Sequence, residues 1–113
     1  MNEIFKIEII SPEKIFFSSE TIMTTLPSYE GEIGILKDHI SLLTFLRPGI
    51  IKVKQKGENN ENFFIDDGVV EFSDNKLIIL STSVINIKNL NKNTIDNLIK
   101  EANSKLNSPN LKD

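Results

Sequence analysis

The 113-residue chain has 13 basic and 16 acidic side chains, a net charge of −3 at neutral pH and a pI of about 5.2. Proteins that bind nucleic acid usually carry a strongly basic surface, which a mildly acidic chain does not indicate, so nucleic acid is excluded as a predicted partner. The absence of cysteine excludes disulfide scaffolds, thiolate zinc sites and thiol nucleophiles. The 39% apolar content suffices for one core, which predicts one domain with a short appendage.

The N-terminal residues Met1–Lys6 do not have the basic region and long apolar run of a signal peptide. No apolar run approaches the roughly 18 residues that are needed to cross a bilayer. We therefore expect any association with a membrane to be indirect, through another protein.

Most of the chain up to residue 88 reads as short β runs separated by turns. Apolar and β-branched side chains mark the runs, and Pro, Gly, Asn and Asp mark the turns. The runs are 4–10, 15–17, 21–26, 42–46, 50–54, 63–65, 69–72 and 77–80. Ser18–Glu20 is interpreted as a kink, and Pro27 is expected to end the run before it. Short strands at this spacing favour a β-sandwich or a β-barrel.

The pattern becomes helical after about residue 88. The apolar side chains of one helical face are Ile95, Leu98, Ile99, Ala102 and Leu106. Asn91 or Asn93 can serve as the N-cap, and Pro109 ends the run. A helix of roughly four turns is marginal alone in water, so its apolar stripe must dock. Docking on its own sandwich and binding of a partner both stay open. Residues 1–88 are therefore predicted as a β-sandwich domain and residues 89–113 as a helical segment.

The turn-rich stretch from residue 30 to 49 contains the only histidine, His39, beside Asp38. One imidazole with scattered carboxylates falls short of the ligand sets of metal centres. His39 is therefore interpreted as a polar turn residue that bonds locally or contacts a partner. Gly31 and Gly34 predict a tight turn entering a short strand, with Gly34 letting two backbones approach closely.

Other site chemistries fit poorly. The segment Gly31–Gly34 does not continue into the Gly-Lys-Ser/Thr and helix of a phosphate-binding loop. Asp66–Gly68 is interpreted as a β-turn, because the spaced ligands of a calcium loop are missing. A hydrolase needs an acid–base pair, which the chain does not offer convincingly. A free-standing carbohydrate- or peptide-binding module predicts an aromatic platform, but the chain has no Trp and one Tyr. No catalytic residue, metal or cofactor is predicted.

The stretch Pro27–Gly49, PSYEGEIGILKDHISLLTFLRPG, closely resembles the signature of the epsilon subunit of bacterial-type F-type ATP synthases. That family shows E-G-E-[IL]-G-[IL]-[LY]-P-x-H-x-P-L-[IL]-T-x-L-[KR]-P-G. The segment 64–71, FIDDGVVE, is similar to its F-[IV]-x-G-G-[VI]-x-E segment. The resemblance covers essentially the whole chain. It implies a mainly β fold, an N-terminal ten-stranded β-sandwich followed here by a single short C-terminal α-helix, whereas longer members carry a helical hairpin.

The resemblance also implies a role. Such a subunit is a non-catalytic part of the central rotor stalk, binds the gamma subunit and the c-ring, and couples proton transport to ATP synthesis on other subunits. It is peripheral, at the cytoplasmic face of the bacterial inner membrane. The implied partner-binding residues are Glu30, Gly31, Glu32, Gly34, His39 and Leu42. Glu32 is expected to face the basic loops of the c-ring, and His39 and Leu42 to face gamma.

Three departures from the family pattern have consequences. Lys37-Asp38 replaces Pro-x before the histidine, and Asp67 replaces the first glycine of the Gly-Gly pair. A positive φ at Asp67 would be strained, although Asp tolerates it better than most residues. The ATP-binding motif [IL]-D-x-x-R-A keeps only its Leu in Leu90–Ile95, and without Arg there is no bidentate phosphate contact. We therefore expect no ATP binding and weak or no inhibition of ATP hydrolysis by the single helix.

Overall fold

The computed structural model describes residues 3–87 and 92–107. The described residues form ten β-strands, a 3-10 turn and one α-helix, which confirms the predicted fold class. The strands are β1 (Phe5–Ile10), β2 (Ile15–Thr21), β3 (Met23–Ser28), β4 (Gly31–Leu36), β5 (Leu42–Leu46), β6 (Gly49–Lys54), β7 (Asn60–Ile65), β8 (Gly68–Ser73), β9 (Lys76–Leu80) and β10 (Val84–Asn86). The 3-10 turn is Lys56–Glu58 and the helix α1 is Lys92–Asn107.

The strands hydrogen-bond along one path, β10-β7-β6-β3-β5-β8-β9-β1-β2, with β4 on β3. The link between β3 and β5 is a single residue pair, Ser28 with Leu46. The ladders on either side are longer, with β3 and β6 sharing three pairs and β5 and β8 sharing five. The path therefore divides at this link into sheet 1 (β10-β7-β6-β3-β4) and sheet 2 (β5-β8-β9-β1-β2), the two layers of a β-sandwich.

The core forms where the inward faces of the two sheets meet. Side chains alternate along each strand, so β1 buries Phe5, Ile7 and Ile9 while the residues between them face outward. Sheet 1 contributes buried Leu26, Ile35, Ile51, Val53, Phe63 and Ile65. The rings of Phe5 and Phe72 pack edge to face with centroids 5.5 Å apart. Each sheet thus has one apolar face, and the two apolar faces pack against each other.

Two local predictions are wrong. β2 runs without interruption through Ser18–Glu20, each of which pairs with β1, so there is no kink. Pro27 does not end β3, which continues to Ser28. The Pro27 carbonyl accepts the Arg47 N–H at 2.9 Å, so its nitrogen points to the same edge of the strand. On that edge, pairing with β6 ends at Thr25 and pairing with β5 begins at Ser28, so Pro27 lies between two ladders and its missing N–H leaves no gap in either.

The expectation that Gly34 lets two backbones approach closely is also wrong. A Cβ on Gly34 would meet the Cε of Met23 at 2.8 Å, so this glycine faces the end of a flexible side chain rather than a second backbone. The close backbone approach lies at Gly68, where a Cβ would be 2.7 Å from the Leu80 carbonyl oxygen. The neighbouring Asp67 does not adopt a positive φ, so the replacement of glycine at that position causes no backbone strain.

The helix α1 has the predicted amphipathic stripe. Ile95, Leu98 and Ile99 are half-buried and Ala102 is buried. The side chain of Leu106, and residues Asn91 and Pro109, lie outside the described residues. Within the described part of the chain, no helix has the length and the apolar content that a membrane crossing requires.

Candidate partner-binding surfaces

The six residues predicted to bind partners are divided between the two ends of β4. Glu30, Gly31 and Glu32 lie at its start, whereas His39 and Leu42 follow its end. A strand of six residues spans roughly 17–20 Å, so these residues form two separate surfaces. We name residues 28–32 the tip turn and residues 36–41 the His39 turn. Gly34 lies between them, within β4.

The hydroxyl of Ser28 organises the tip turn. It donates to the Gly31 carbonyl at 2.6 Å and accepts the Glu30 N–H at 3.2 Å. Gly31 has a φ of 120° and open space where a Cβ would stand, so this position requires glycine for its conformation. Arg47 Nε donates to the Ser28 carbonyl at 3.0 Å and holds the turn against the end of β5. The carboxylates of Glu30 and Glu32 are left exposed to solvent, and neither has an ion pair with a described residue.

The His39 turn is fastened to the turn between β8 and β9. The Asp38 N–H donates to Asn75 Oδ1 at 2.6 Å, and Asn75 Nδ2 donates to Asp38 Oδ1 at 3.0 Å. Both residues have left-handed backbones, with φ of 68° and 57°, which Asp and Asn tolerate better than most residues. The His39 N–H closes the turn on the Leu36 carbonyl at 3.1 Å. The Lys37-Asp38 departure from the family pattern is accommodated by this pair.

The imidazole of His39 is half-buried and bonds locally. Its ring packs edge to face on Phe72 with centroids 5.9 Å apart, and Nδ1 lies 2.7 Å from the Ile40 carbonyl oxygen. Because a carbonyl only accepts, Nδ1 is the donor in this hydrogen bond. Ile40 itself is 80% exposed. Among the described residues, no group of three or more His, Asp or Glu side chains could hold a metal ion.

The strand β5 presents apolar side chains to both of its faces. Leu42 packs against the core and Leu46 is buried. The alternate positions Leu43 and Phe45 point outward and are 72% and 66% exposed. Leu42, predicted to contact a partner, thus lies on the inner face, and its neighbour Leu43 lies on the outer one. A shift of one residue along a strand changes the face, because the side-chain period is two.

The exposed apolar side chains of sheet 2 are continuous with a groove at the tip-turn end. Phe45 pairs with Val69 on β8, which pairs with Leu80 on β9. Tyr29, from the tip turn, joins them and is 61% exposed. The groove has a volume of about 800 Å³. Its lining residues are Ile10, Ser11, Pro12, Tyr29, Phe45, Leu46, Asp67, Gly68, Val69, Leu80, Ser81 and Thr82. We name Leu43, Phe45, Val69, Leu80 and Tyr29 the apolar face. Contiguous exposed apolar surface of this kind marks interaction sites.

Residues 4–87 match the family model described as the β-sandwich domain of the ATP synthase delta/epsilon chain. The chain belongs to the ATP synthase delta/epsilon chain family. This confirms the resemblance that Pro27–Gly49 indicated. The ATP synthase epsilon chain of Pelagibacter ubique (strain HTCC1062) is 45% identical over all of this chain and 87% of its own length. That of Sulfurimonas denitrificans is 31% identical over 91% of this chain and 79% of its own length.

Solved structures share the fold of this epsilon-family chain. A chain of the mitochondrial ATP synthase of Euglena gracilis, in a structure of its OSCP, F1 and c-ring, superposes with a TM-score of 0.73 at 20% identity. The match covers 98% of this chain and 70% of that one. A chain from the central stalk and c-ring of the Tetrahymena thermophila mitochondrial ATP synthase has a TM-score of 0.62 at 18% identity, covering 89% and 90%. The epsilon-family fold is therefore retained at low sequence identity.

Sequence reasoning on this epsilon-family chain missed the apolar face. One sequence pattern does indicate this face: the run Leu42–Leu46 is apolar at four of its five positions rather than at alternate ones. A strand of an antiparallel sheet with one face in water alternates apolar and polar side chains. A strand that is apolar on both faces indicates that a second surface covers its outer side. The contributions of Val69 and Leu80 depend on strand register and have no local signal.

Proposed function

We propose that this chain is a non-catalytic subunit of the central rotor stalk of a bacterial-type F-type ATP synthase. It binds the gamma subunit and the c-ring, and it couples proton transport to ATP synthesis at catalytic sites on other subunits. It is peripheral, held through these partners at the cytoplasmic face of the bacterial inner membrane. Family membership supports the assembly, and the exposed apolar face is the observation that carries the binding role.

The apolar face is the proposed surface for gamma. It extends from the tip turn along β5 to the His39 turn, where Ile40 adds a further exposed apolar side chain. Interfaces bury about 800 Å² per partner, with an apolar centre and a polar rim. Leu43 and Phe45 provide such a centre, and the half-buried His39 ring provides a polar group at one end. Leu42 supports the face from beneath by packing on the core.

The tip turn is the proposed surface for the c-ring. Glu30 and Glu32 are exposed carboxylates on a turn that Gly31 and the Ser28 hydroxyl hold in one shape. The resemblance to the family implies basic loops on the ring, so the charges are complementary. Exposed ion pairs contribute only about 0–1 kcal/mol each and act mainly on register and association rate. Gly34 keeps the adjoining part of β4 free of a side chain.

A rotor subunit must transmit torque without deforming. A close-packed interior has low compressibility, and the two sheets of this chain enclose such a core. The Asp38–Asn75 pair adds a connection between two turns that are 37 residues apart. Both proposed surfaces are therefore mounted on a stiff body.

We further propose that α1 rests on the outer face of sheet 1 and inhibits ATP hydrolysis weakly or not at all. Phe64 alternates with the core residues Phe63 and Ile65, so it faces outward, yet it is only 1% exposed. Buried Ala102 shows that α1 is covered on one side. Placing Ala102 over Phe64 accounts for both observations and holds the helix on its own subunit. ATP binding is not expected, and Leu90 of the altered motif lies outside the described residues.

Co-purification with gamma tests the proposed function. The chain is co-expressed with a tagged gamma subunit, and it should be recovered with gamma in a stable complex. Leu43→Glu places a charge in the apolar face and should abolish recovery. Ile85→Glu, at a 44% exposed position on β10 of sheet 1, is the matched control and should leave recovery intact. A wild-type chain that stays monomeric in the presence of gamma would contradict the proposal.

A further inference from the structure

The outer surface of sheet 2 has a carboxylate next to the residues of the apolar face. Glu71 on β8 is exposed and lies between Leu43 on β5 and Ile78 on β9 in the strand register. Glu71 has no ion pair with any residue that the structure describes. Glu8, opposite Ile78 on β1, belongs to the same row but is paired with Lys76 at 3.7 Å. Glu71 is thus the unpaired acid of this row.

A partner that covers the apolar face must also cover Glu71. Glu71 lies directly opposite Leu43 and two residues along β8 from Val69, and neighbouring strands lie about 4.8 Å apart, so a surface that covers Leu43 and Val69 also covers the carboxylate. Removing a carboxylate from water is strongly unfavourable unless it is paired and hydrogen-bonded. A purely apolar partner surface would therefore be rejected at this position, although it would fit Leu43 and Phe45.

We propose that the gamma surface seated on the apolar face directs an arginine or lysine side chain at Glu71, beside an apolar side chain that enters the groove next to Phe45 and Leu80. This inference rests on the proposed function. Arginine is the better fit, because its planar guanidinium is weakly hydrated and binds a carboxylate through two parallel hydrogen bonds. Asp67, exposed in the lining of the groove, extends the acidic rim on the same side. Glu71 is then the residue that selects the partner and sets its register, while Phe45 and Leu43 supply the buried area.

The test measures the Kd of purified gamma for the chain at several salt concentrations. Glu71→Gln keeps the shape of the side chain and removes its charge. It should weaken binding about tenfold or more, because the partner's cation is left covered and unpaired. Glu71→Lys should weaken it further. Glu3→Gln, an exposed acid outside the sheets, is the matched control and should leave the Kd unchanged. The loss of affinity with salt should be smaller for Glu71→Gln than for the wild type.

The outcomes separate this inference from the proposed function. If Phe45→Ala weakens binding while Glu71→Gln changes neither the Kd nor its salt dependence, the cation pairing is wrong and the gamma-binding role stands. If gamma binds and neither substitution matters, the apolar face is not the interface and both the surface and the pairing fail. Thermal melting of each variant verifies that it folds. Substitutions at Glu71 should not change the melting temperature, because the side chain is exposed.

Discussion

Phe45→Ala tests directly how much the apolar face contributes to binding. Phe45 is 66% exposed in the free chain and belongs to the outer surface of sheet 2. A fully covered aromatic side chain buries about 150–250 Å², so docking would remove about 100–160 Å² of Phe45 from water. At about 25 cal/mol per Å² this corresponds to about 2.5–4 kcal/mol, of which alanine keeps a small part. A loss of about 2–3 kcal/mol should raise the Kd for gamma about 30- to 150-fold.

Isothermal titration calorimetry with purified gamma measures this change. The free energy of unfolding of the variant should stay near that of the wild type, because Phe45 lies outside the core cluster. Ile85→Ala provides the control, since it removes an exposed apolar side chain from sheet 1. A change in Kd below about threefold, which is under 1 kcal/mol, would refute the assignment of the face. An equal loss in the Ile85 variant would show that the effect is not specific to sheet 2.

Three further predictions concern the tip turn, the His39 turn and the helix. Glu32→Lys should lower proton-driven ATP synthesis in reconstituted vesicles by weakening contact with the c-ring, whereas Glu3→Lys should not; unchanged synthesis would remove Glu32 from that contact. Asn75→Gly removes both bonds to the His39 turn without backbone strain and should lower the free energy of unfolding by about 1 kcal/mol, measured in urea. Asp74→Gly, also at a positive φ, has no described side-chain bond to lose and should not destabilise; equal effects would argue against the pair. Deleting residues 89–113 should leave ATP hydrolysis by the assembled enzyme unchanged, and increased hydrolysis would show that the helix inhibits.

Much of the fold could be predicted from local pattern. The alternation along β1 and the helical spacing of Ile95 and Ala102 specify which face of each element is apolar. The wrong strand predictions lie where hydrogen bonding between strands outweighs the local amino-acid composition. Ser18–Glu20 is polar, yet β2 is the last strand of sheet 2 in the hydrogen-bonding path, and its ladder with β1 keeps the backbone extended. No local run in the sequence indicates β10, since its three residues become a strand by pairing with β7.

The amino-acid sequence by itself determined the family, the fold class and the turn chemistry, because those depend on neighbouring residues. Gly31 occupies a turn position with a positive φ. Glu30 and Glu32 make the tip turn acidic. The tertiary structure alone decided which residues share a surface. In that structure Leu43 rather than Leu42 faces outward, Leu80 lines the groove, and Asn75 hydrogen-bonds to Asp38. Strand register and layer packing join residues far apart in the chain, and no local pattern encodes them.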